Sequence, residues 1–350
     1  MAKSSCMLRF QLVSFVNFVT NKCTIVNLKS PPKGLITSLN FDHHGRLYVS
    51  SFEGEIFMYT NLPDSTCPFV VKNLPESILD TCLQSSDGID SDILIGGVLG
   101  TVYQFNTYTQ KLLTCPFKHK SGVQCLERNE DFNVILTGSW DNTGWIIPEN
   151  SNGVGADARK ITLNGKVQAM DSSGNYLIYA LSTGQNVVYD LRRTEIPIRT
   201  EATSFKTSLV TCLRAIPQGK GFVQGSIEGK ASVETFSGET KYTFKCHRTP
   251  LVDDVDFAGP INDLCFIDEK RFFTAGSNVD RRVCLWDYTK QKRLRQYSNL
   301  PMGVSCLKYS PKLRLLALAT CDDSFKNSVS ISNPKFPDRA SCLTVIPINY

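Results

Sequence analysis

Histidine is scarce, with four in the chain at His43, His44, His119 and His247. No pair has metal-ligand spacing, and the 13 cysteines contain no Cys-x-x-Cys, so a zinc site has no sequence support. An odd cysteine count without a regular framework argues for reduced thiols rather than a disulfide scaffold. No run of 18 apolar residues occurs, which argues against a helical membrane span. Leu8–Val19 is the nearest approach, but Gln11, Ser14 and Asn17 interrupt it and no small-residue cleavage site follows. Gly-x-Ser-x-Gly, a phosphate loop and GxGxxG are all missing. The acidic groups Asp253-Asp254 with Asp256, and Asp322-Asp323, read as solvated loops. The expectation is therefore no enzyme and no cofactor. Net charge is +5, too small to argue nucleic-acid binding unless it is clustered.

What is present is a repeat. A small residue followed by Leu or Met recurs seven times: Ser38-Leu39, Cys82-Leu83, Cys125-Leu126, Ala169-Met170, Cys212-Leu213, Asp263-Leu264 and Cys306-Leu307. An apolar strand ending in a small pair follows each one. The pairs are Ser50-Ser51, Gly96-Gly97, Gly138-Ser139, Leu181-Ser182, Gly225-Ser226, Gly276-Ser277 and Ala319-Thr320. After each comes a turn and another strand, as in Glu55–Tyr59, Thr101–Phe105 and Arg282–Trp286, the last ending in the one clear Trp-Asp. No amphipathic helix of useful length is visible. Four-stranded units at this period cannot bury both faces alone, but a closed ring of them can. The fold class is therefore all-β, a seven-bladed WD-repeat β-propeller. One domain is expected over 23–350, with 1–22 a disordered extension outside the ring. Cys23–Leu28 is the candidate closing strand, and Cys342–Ile348 the outer or penultimate strand of the same blade. Cysteine at the crowded repeat position reads as a small hydrophobe.

The densest unit is Gly225–Arg248, where two strands carry Lys230, Lys245 and Arg248, with Arg214 nearby in sequence. Lys245 and Arg248 bracket a Cys246-His247 that a strand would bury. Phe52 and Trp140 each follow a small pair, placing a large ring on a turn. Such a ring either packs against its own blade edge or faces a partner. The basic run Arg281-Arg282 and Lys290–Arg295 (KQKRLR) reads as an outer-strand and loop face, with an acidic partner as the sharper alternative.

These strings carry a resemblance. GSIEGKASVETF and YTFKCHR, then PINDLCF and FFTAGS, resemble a nuclear branch of WD-repeat propellers. That branch holds mitotic-checkpoint proteins of the "budding uninhibited by benzimidazole" type and their messenger-RNA export, nucleoporin-binding paralogues. The similarity runs from about Thr24 onward and is strongest from Cys212 to Phe325. The short link from Arg248 to Pro260, and Leu318–Phe325 (LATCDDSF), look like the checkpoint form.

The resemblance implies a scaffold in the nucleus and at kinetochores, and partly in the cytoplasm. Its expected partners are a GLEBS-containing checkpoint kinase or kinase-like protein, and a kinetochore scaffold with phosphorylated MELT-type repeats. Neither membrane nor direct nucleic-acid contact is expected. Export through a nucleoporin, or an adaptor role in another complex, is the rival. The family's clamp aromatics correspond to Phe52 and Trp140, and its basic contacts to Lys230 and Lys245, with Arg248 beside them. Arg214 and Thr211 are possible additions. Phe52 stands where the family usually has Trp, and Thr211 where it usually has Arg. Lys at the basic positions supplies charge without bidentate geometry.

Overall fold

The computed structural model describes residues 25–84, 92–149, 158–205, 208–250, 256–322 and 341–348. The expected extension 1–22, Asp253-Asp254 and Asp323–Phe325 lie outside the described residues.

Alternating apolar residues and tight turns produce seven four-stranded antiparallel sheets. The short strand β1 (Val26–Asn27) comes first. Blade 1 is β2 (Ile36–Phe41), β3 (Leu47–Ser51), β4 (Glu55–Tyr59) and β5 (Pro68–Asn73). Blade 2 is β6 (Ile78–Leu83), β7 (Asp92–Gly97), β8 (Thr101–Asn106) and β9 (Leu112–Lys118). Blade 3 is β10 (Val123–Asn129), β11 (Val134–Ser139), β12 (Thr143–Pro148) and β13 (Arg159–Thr162). Blade 4 is β14 (Val167–Ser173), β15 (Tyr176–Leu181), β16 (Gln185–Asp190) and β17 (Arg199–Ala202). Blade 5 is β18 (Val210–Ile216), β19 (Gly221–Ser226), β20 (Lys230–Thr235) and β21 (Lys241–Lys245). A two-stranded ribbon follows, β22 (Arg248–Pro250) with β23 (Asp256–Ala258). Blade 6 is β24 (Ile261–Phe266), β25 (Arg271–Gly276), β26 (Val283–Asp287) and β27 (Lys292–Tyr297).

Blade 7 joins the two ends of the ring. β28 (Gly303–Ser310), β29 (Leu315–Cys321) and β30 (Cys342–Pro347) pair in order, and β1 adds the outer strand. Val26 faces Val345 and Asn27 faces Thr344. Cys342–Pro347 is thus the penultimate strand, and only Val26–Asn27 of the expected closing stretch pairs as strand.

The register corrects three of the repeat assignments. Cys125 pairs with Gly138 and Cys212 with Gly225, but in blade 2 it is Asp80, not Cys82, that pairs with Gly96. The small pair of blade 4 is Ala180-Leu181 and that of blade 6 is Ala275-Gly276, each one residue earlier than the pattern suggested. Strands such as β15 and β25 are buried on both faces, so their apolar runs do not alternate and only pairing decides the register.

The small pairs have a steric cause. A Cβ on Gly138 would lie 2.7 Å from Val167 Cγ1, and one on Gly225 would lie 2.8 Å from Ile261 Cβ. The first apolar residue of each following blade fills the space that the glycine leaves. Among the described residues, buried apolar side chains fall into seven clusters, one at each boundary between neighbouring blades. Closure therefore buries both faces of every sheet.

The innermost strands line a central void of about 140 Å³. Around it, carboxylates cap backbone of the next blade. Asp80 accepts from Leu126 N at 2.9 Å, Asp171 from Ala215 N at 2.7 Å and Asp263 from Leu307 N at 2.8 Å.

Candidate functional site

Two hydrogen-bond networks organise one face of the ring. His247 follows β21 and is fully buried. Its Nδ1 lies 2.6 Å from Asp280, its Nε2 lies 2.8 Å from Thr274 Oγ1, and Trp286 Nε1 donates to that hydroxyl at 3.0 Å. His119, after β9, repeats the arrangement with Asp141 and Thr143 on Nδ1 and Thr137 on Nε2. There the backbone N of Trp145 donates to Thr137 Oγ1 at 3.0 Å, while the indole Nε1 is buried without a partner. Burial lowers the pKa of His119, with Asp141 opposing it, so a neutral imidazole can donate from Nδ1 and accept at Nε2. Asp141 is held below the usual carboxylate range. Burial opposes this, but the Thr143 hydroxyl, the Lys120 N–H and His119 outweigh it. Isolated histidines carried no network signal in the sequence, because their partners come from the next blade.

The same face bears the turns between second and third strands. Phe52, Trp140 and Ile227 each donate their backbone N to the carbonyl of the residue just before their own innermost strand, at Leu35, Gly122 and Leu209. These positions are equivalent, so Phe52 and Trp140 share one rim. Phe52 is 40% exposed. Trp140 is half-buried and leans on Gly122, where a Cβ would come within 2.7 Å of the ring and of Leu79 Cδ1. The rim also exposes Leu99, Leu209 and Ile227. Ile227 was missed because only the aromatic members of the repeat position were singled out, and Leu99 and Leu209 lie outside that position.

On the same face, Lys230 and Lys245 stand directly opposite each other on β20 and β21. Like charges in that relation repel. Lys230 Nζ meets Glu228 at 2.7 Å, and Lys245 Nζ meets Asp256 at 4.0 Å. Arg248 does not lie on the outer strand of blade 5, contrary to expectation. It begins the separate β22–β23 ribbon, 3.6 Å from Asp256, and its Nε is buried with no partner. Burial of Cys246 and His247 turns the flanking Lys245 and Arg248 to the same region.

Arg214 and Thr211 do not join this cluster. Both line the central void. Arg214 pairs with Asp263 at 3.0 Å and opens onto the void, keeping about 35% of its side chain accessible. Burial disfavours its charge, but Asp263, Asp171, Glu127 and Asp80 raise its pKa further than burial lowers it. Thr211 Oγ1 donates to Ile261 O at 2.5 Å, a tie to the next blade.

Among the described residues, no group of three or more His, Cys, Asp or Glu is placed to hold a metal. No helix there is long and apolar enough to cross a membrane.

The WD domain, G-beta repeat family model matches residues 110–146 and 238–287. These are the two stretches that carry the His119 and His247 networks. The chain is 33% identical over 240 residues to the spindle assembly checkpoint protein bub3 of Schizosaccharomyces pombe, covering 65% of this chain and 71% of that protein. The chain belongs to the Bub3 family. The Bub3 family relative BUB3.1 of Arabidopsis thaliana, a mitotic checkpoint protein, is 28% identical over 309 residues, covering 84% of this chain and 86% of its own length. The poly(A)+ RNA export protein of Schizosaccharomyces pombe is less similar, 25% identical over 232 residues, covering 63% of this chain and 62% of that protein. Within this family the present chain is a divergent member, with a seven-bladed WD-repeat propeller.

Proposed function

We propose that this chain is a non-enzymatic scaffold of the spindle assembly checkpoint. It binds the GLEBS-type segment of a checkpoint kinase or kinase-like protein across the rim bearing Phe52 and Trp140. It docks that partner to phosphorylated MELT-type repeats at kinetochores through Lys230, Lys245 and Arg248, acting in the nucleus.

One observation carries the reading. Two lysines face each other across adjacent strands beside a buried, partnerless Arg248 Nε, on the face that exposes the apolar rim. An anion set between them would relieve the lysine repulsion and satisfy the guanidinium. The apolar rim supplies the area that a peptide buries, and the cations supply charge selectivity.

Calorimetry with a GLEBS-type peptide tests this. Trp140→Ala combined with Lys230→Glu should abolish binding while the thermal midpoint changes little. Unchanged affinity rejects the assignment of these residues. Pull-down from mitotic cells separates the alternatives: recovery of checkpoint kinases supports the reading, and recovery of a nucleoporin alone favours messenger-RNA export.

A further inference from the structure

Several basic residues on the outer strands have carboxylate partners. Arg159 meets Glu195 at 3.0 Å, Arg199 meets Glu201 at 2.7 Å, and Lys241 meets Glu234 at 3.0 Å. Blade 6 differs. Its outer strand β27 carries Lys292, Arg293 and Arg295 with no acidic residue, and Lys290 precedes it. Among the described residues, no carboxylate lies within 4 Å of the Lys292 or Arg293 head groups. Lys290 reaches Asp287 only at 3.8 Å and is 71% exposed. Lys72, Lys118 and Lys160 also lack a carboxylate partner among the described residues, but each stands singly on its outer strand, whereas Lys292 and Arg293 are adjacent.

The register adds an apolar element. Leu285 pairs with Arg295 and Trp286 with Arg293, so Leu294 is the extra residue of a β-bulge. It is 46% exposed. A bulge re-aims its side chain away from the ladder. Arg293 is steadied by its position over the Trp286 ring, 5.9 Å from the centroid. Charges on an edge strand also discourage edge-to-edge pairing. That role does not account for an exposed leucine at the centre of the run.

We infer that the outer edge of blade 6 is a docking surface for an acidic peptide segment that places one apolar side chain against Leu294 and carboxylates against Lys290, Lys292, Arg293 and Arg295. The strip from Lys292 to Arg295 spans roughly 10 Å at about 3.3 Å per residue, with Lys290 in the turn before it, which suits a short extended segment. The bulge interrupts strand addition, so side chains rather than backbone carry the contact. A single-stranded nucleic acid would need an exposed aromatic platform. Trp286 is covered by Arg293, so the peptide is favoured. This surface is separate from the rim bearing Phe52 and Trp140, and does not rest on the reading of that rim.

Fluorescence anisotropy on the full chain tests it, with a labelled heptapeptide of Glu and Asp around one central Leu. Control probes are its Gln-substituted counterpart and an oligouridylate of equal charge. The acidic peptide should bind, and its Kd should rise about tenfold between low and moderate salt. Lys292→Glu with Arg293→Glu should weaken binding at least about tenfold, and Leu294→Ser about threefold without changing the salt slope. Because Arg293 packs on Trp286, Lys292→Glu alone serves as a second variant and should weaken binding at least about threefold. The inference is overturned if the wild-type chain does not bind the acidic peptide. It also fails if folded Lys292→Glu binds unchanged, or if the oligouridylate binds more tightly than the peptide.

Discussion

His247 and Asp280 lie 2.6 Å apart across the boundary between blades 5 and 6, both side chains fully buried. Asp280 sits in the turn of blade 6, and His247 follows the outer strand of blade 5. The contact locks the segment that carries Lys245 and Arg248 onto the next blade.

Breaking this network should be costly. His247→Ala leaves Asp280 and Thr274 buried without their partner, a loss of about 2–4 kcal/mol in urea unfolding. His119→Ala should cost less, because Asp141 keeps hydrogen bonds from Lys120 N and Thr143, whereas the fully buried Asp280 keeps only Arg282 and has one oxygen without a partner. Equal losses for the two variants would contradict the inequality of the networks.

Acidic groups in the central void should make stability fall toward alkaline pH. Burial raises the pKa of Glu127 from 4.5 to about 8, and the nearby Asp171 adds to the effect, while Lys308 and Arg214 oppose it. Burial likewise raises Asp80 to about 6. The folded chain holds these protons more tightly than the unfolded chain. The Glu127 contribution is therefore complete below about pH 4.5 and is lost as pH rises through about 8. Glu127→Gln should flatten the decline between pH 5 and 8, and be more stable than wild type at pH 8.5 by at least about 1 kcal/mol. Parallel stability profiles for the two proteins would refute this.

Filling the space that receives a neighbouring blade should also cost stability. Gly138→Ala puts a methyl group against Val167, and a loss of about 1–3 kcal/mol is expected in thermal or urea unfolding. Pairing it with Val167→Ala should recover part of the loss, as a double-mutant cycle would measure. Strict additivity would show that the contact is not the cause.

Lys245 offers a stability test of the basic cluster. It is exposed, and its ion pair with Asp256 is long. Lys245→Gln removes one of two opposed positive charges, so stability should stay within about 0.5 kcal/mol of wild type or rise slightly. Phosphopeptide affinity should fall in the same variant, measured by calorimetry at low salt. A large loss of stability would make Lys245 a structural residue instead.

Much of the fold was legible because its causes are local. Period-two alternation, turn residues such as Glu53-Gly54 and small pairs such as Gly138-Ser139 each act within a few residues. Seven recurrences then leave a closed ring as the way to bury both faces of each sheet. The slips were of register. Cys82 and Asp80 lie on the same strand two residues apart, and only pairing with Gly96 reveals which is equivalent to Cys125. The rim was half legible: Phe52 and Trp140 stood out by size, whereas Leu99, Leu209 and Ile227 needed exposure to be seen.

The amino-acid sequence alone thus determined the all-β class, the blade number and, in four of the seven blades, the small positions where a neighbour packs. Hydrophobic period and turn chemistry depend on adjacent residues. The tertiary structure decided which charges remain uncompensated. Lys245 and Arg248 acquire Asp256 from a returning strand, Arg214 acquires Asp263 from the innermost strand of the next blade, and Lys292 and Arg293 acquire no carboxylate among the described residues. Charge compensation depends on distances between chain segments far apart in sequence, which local pattern does not encode.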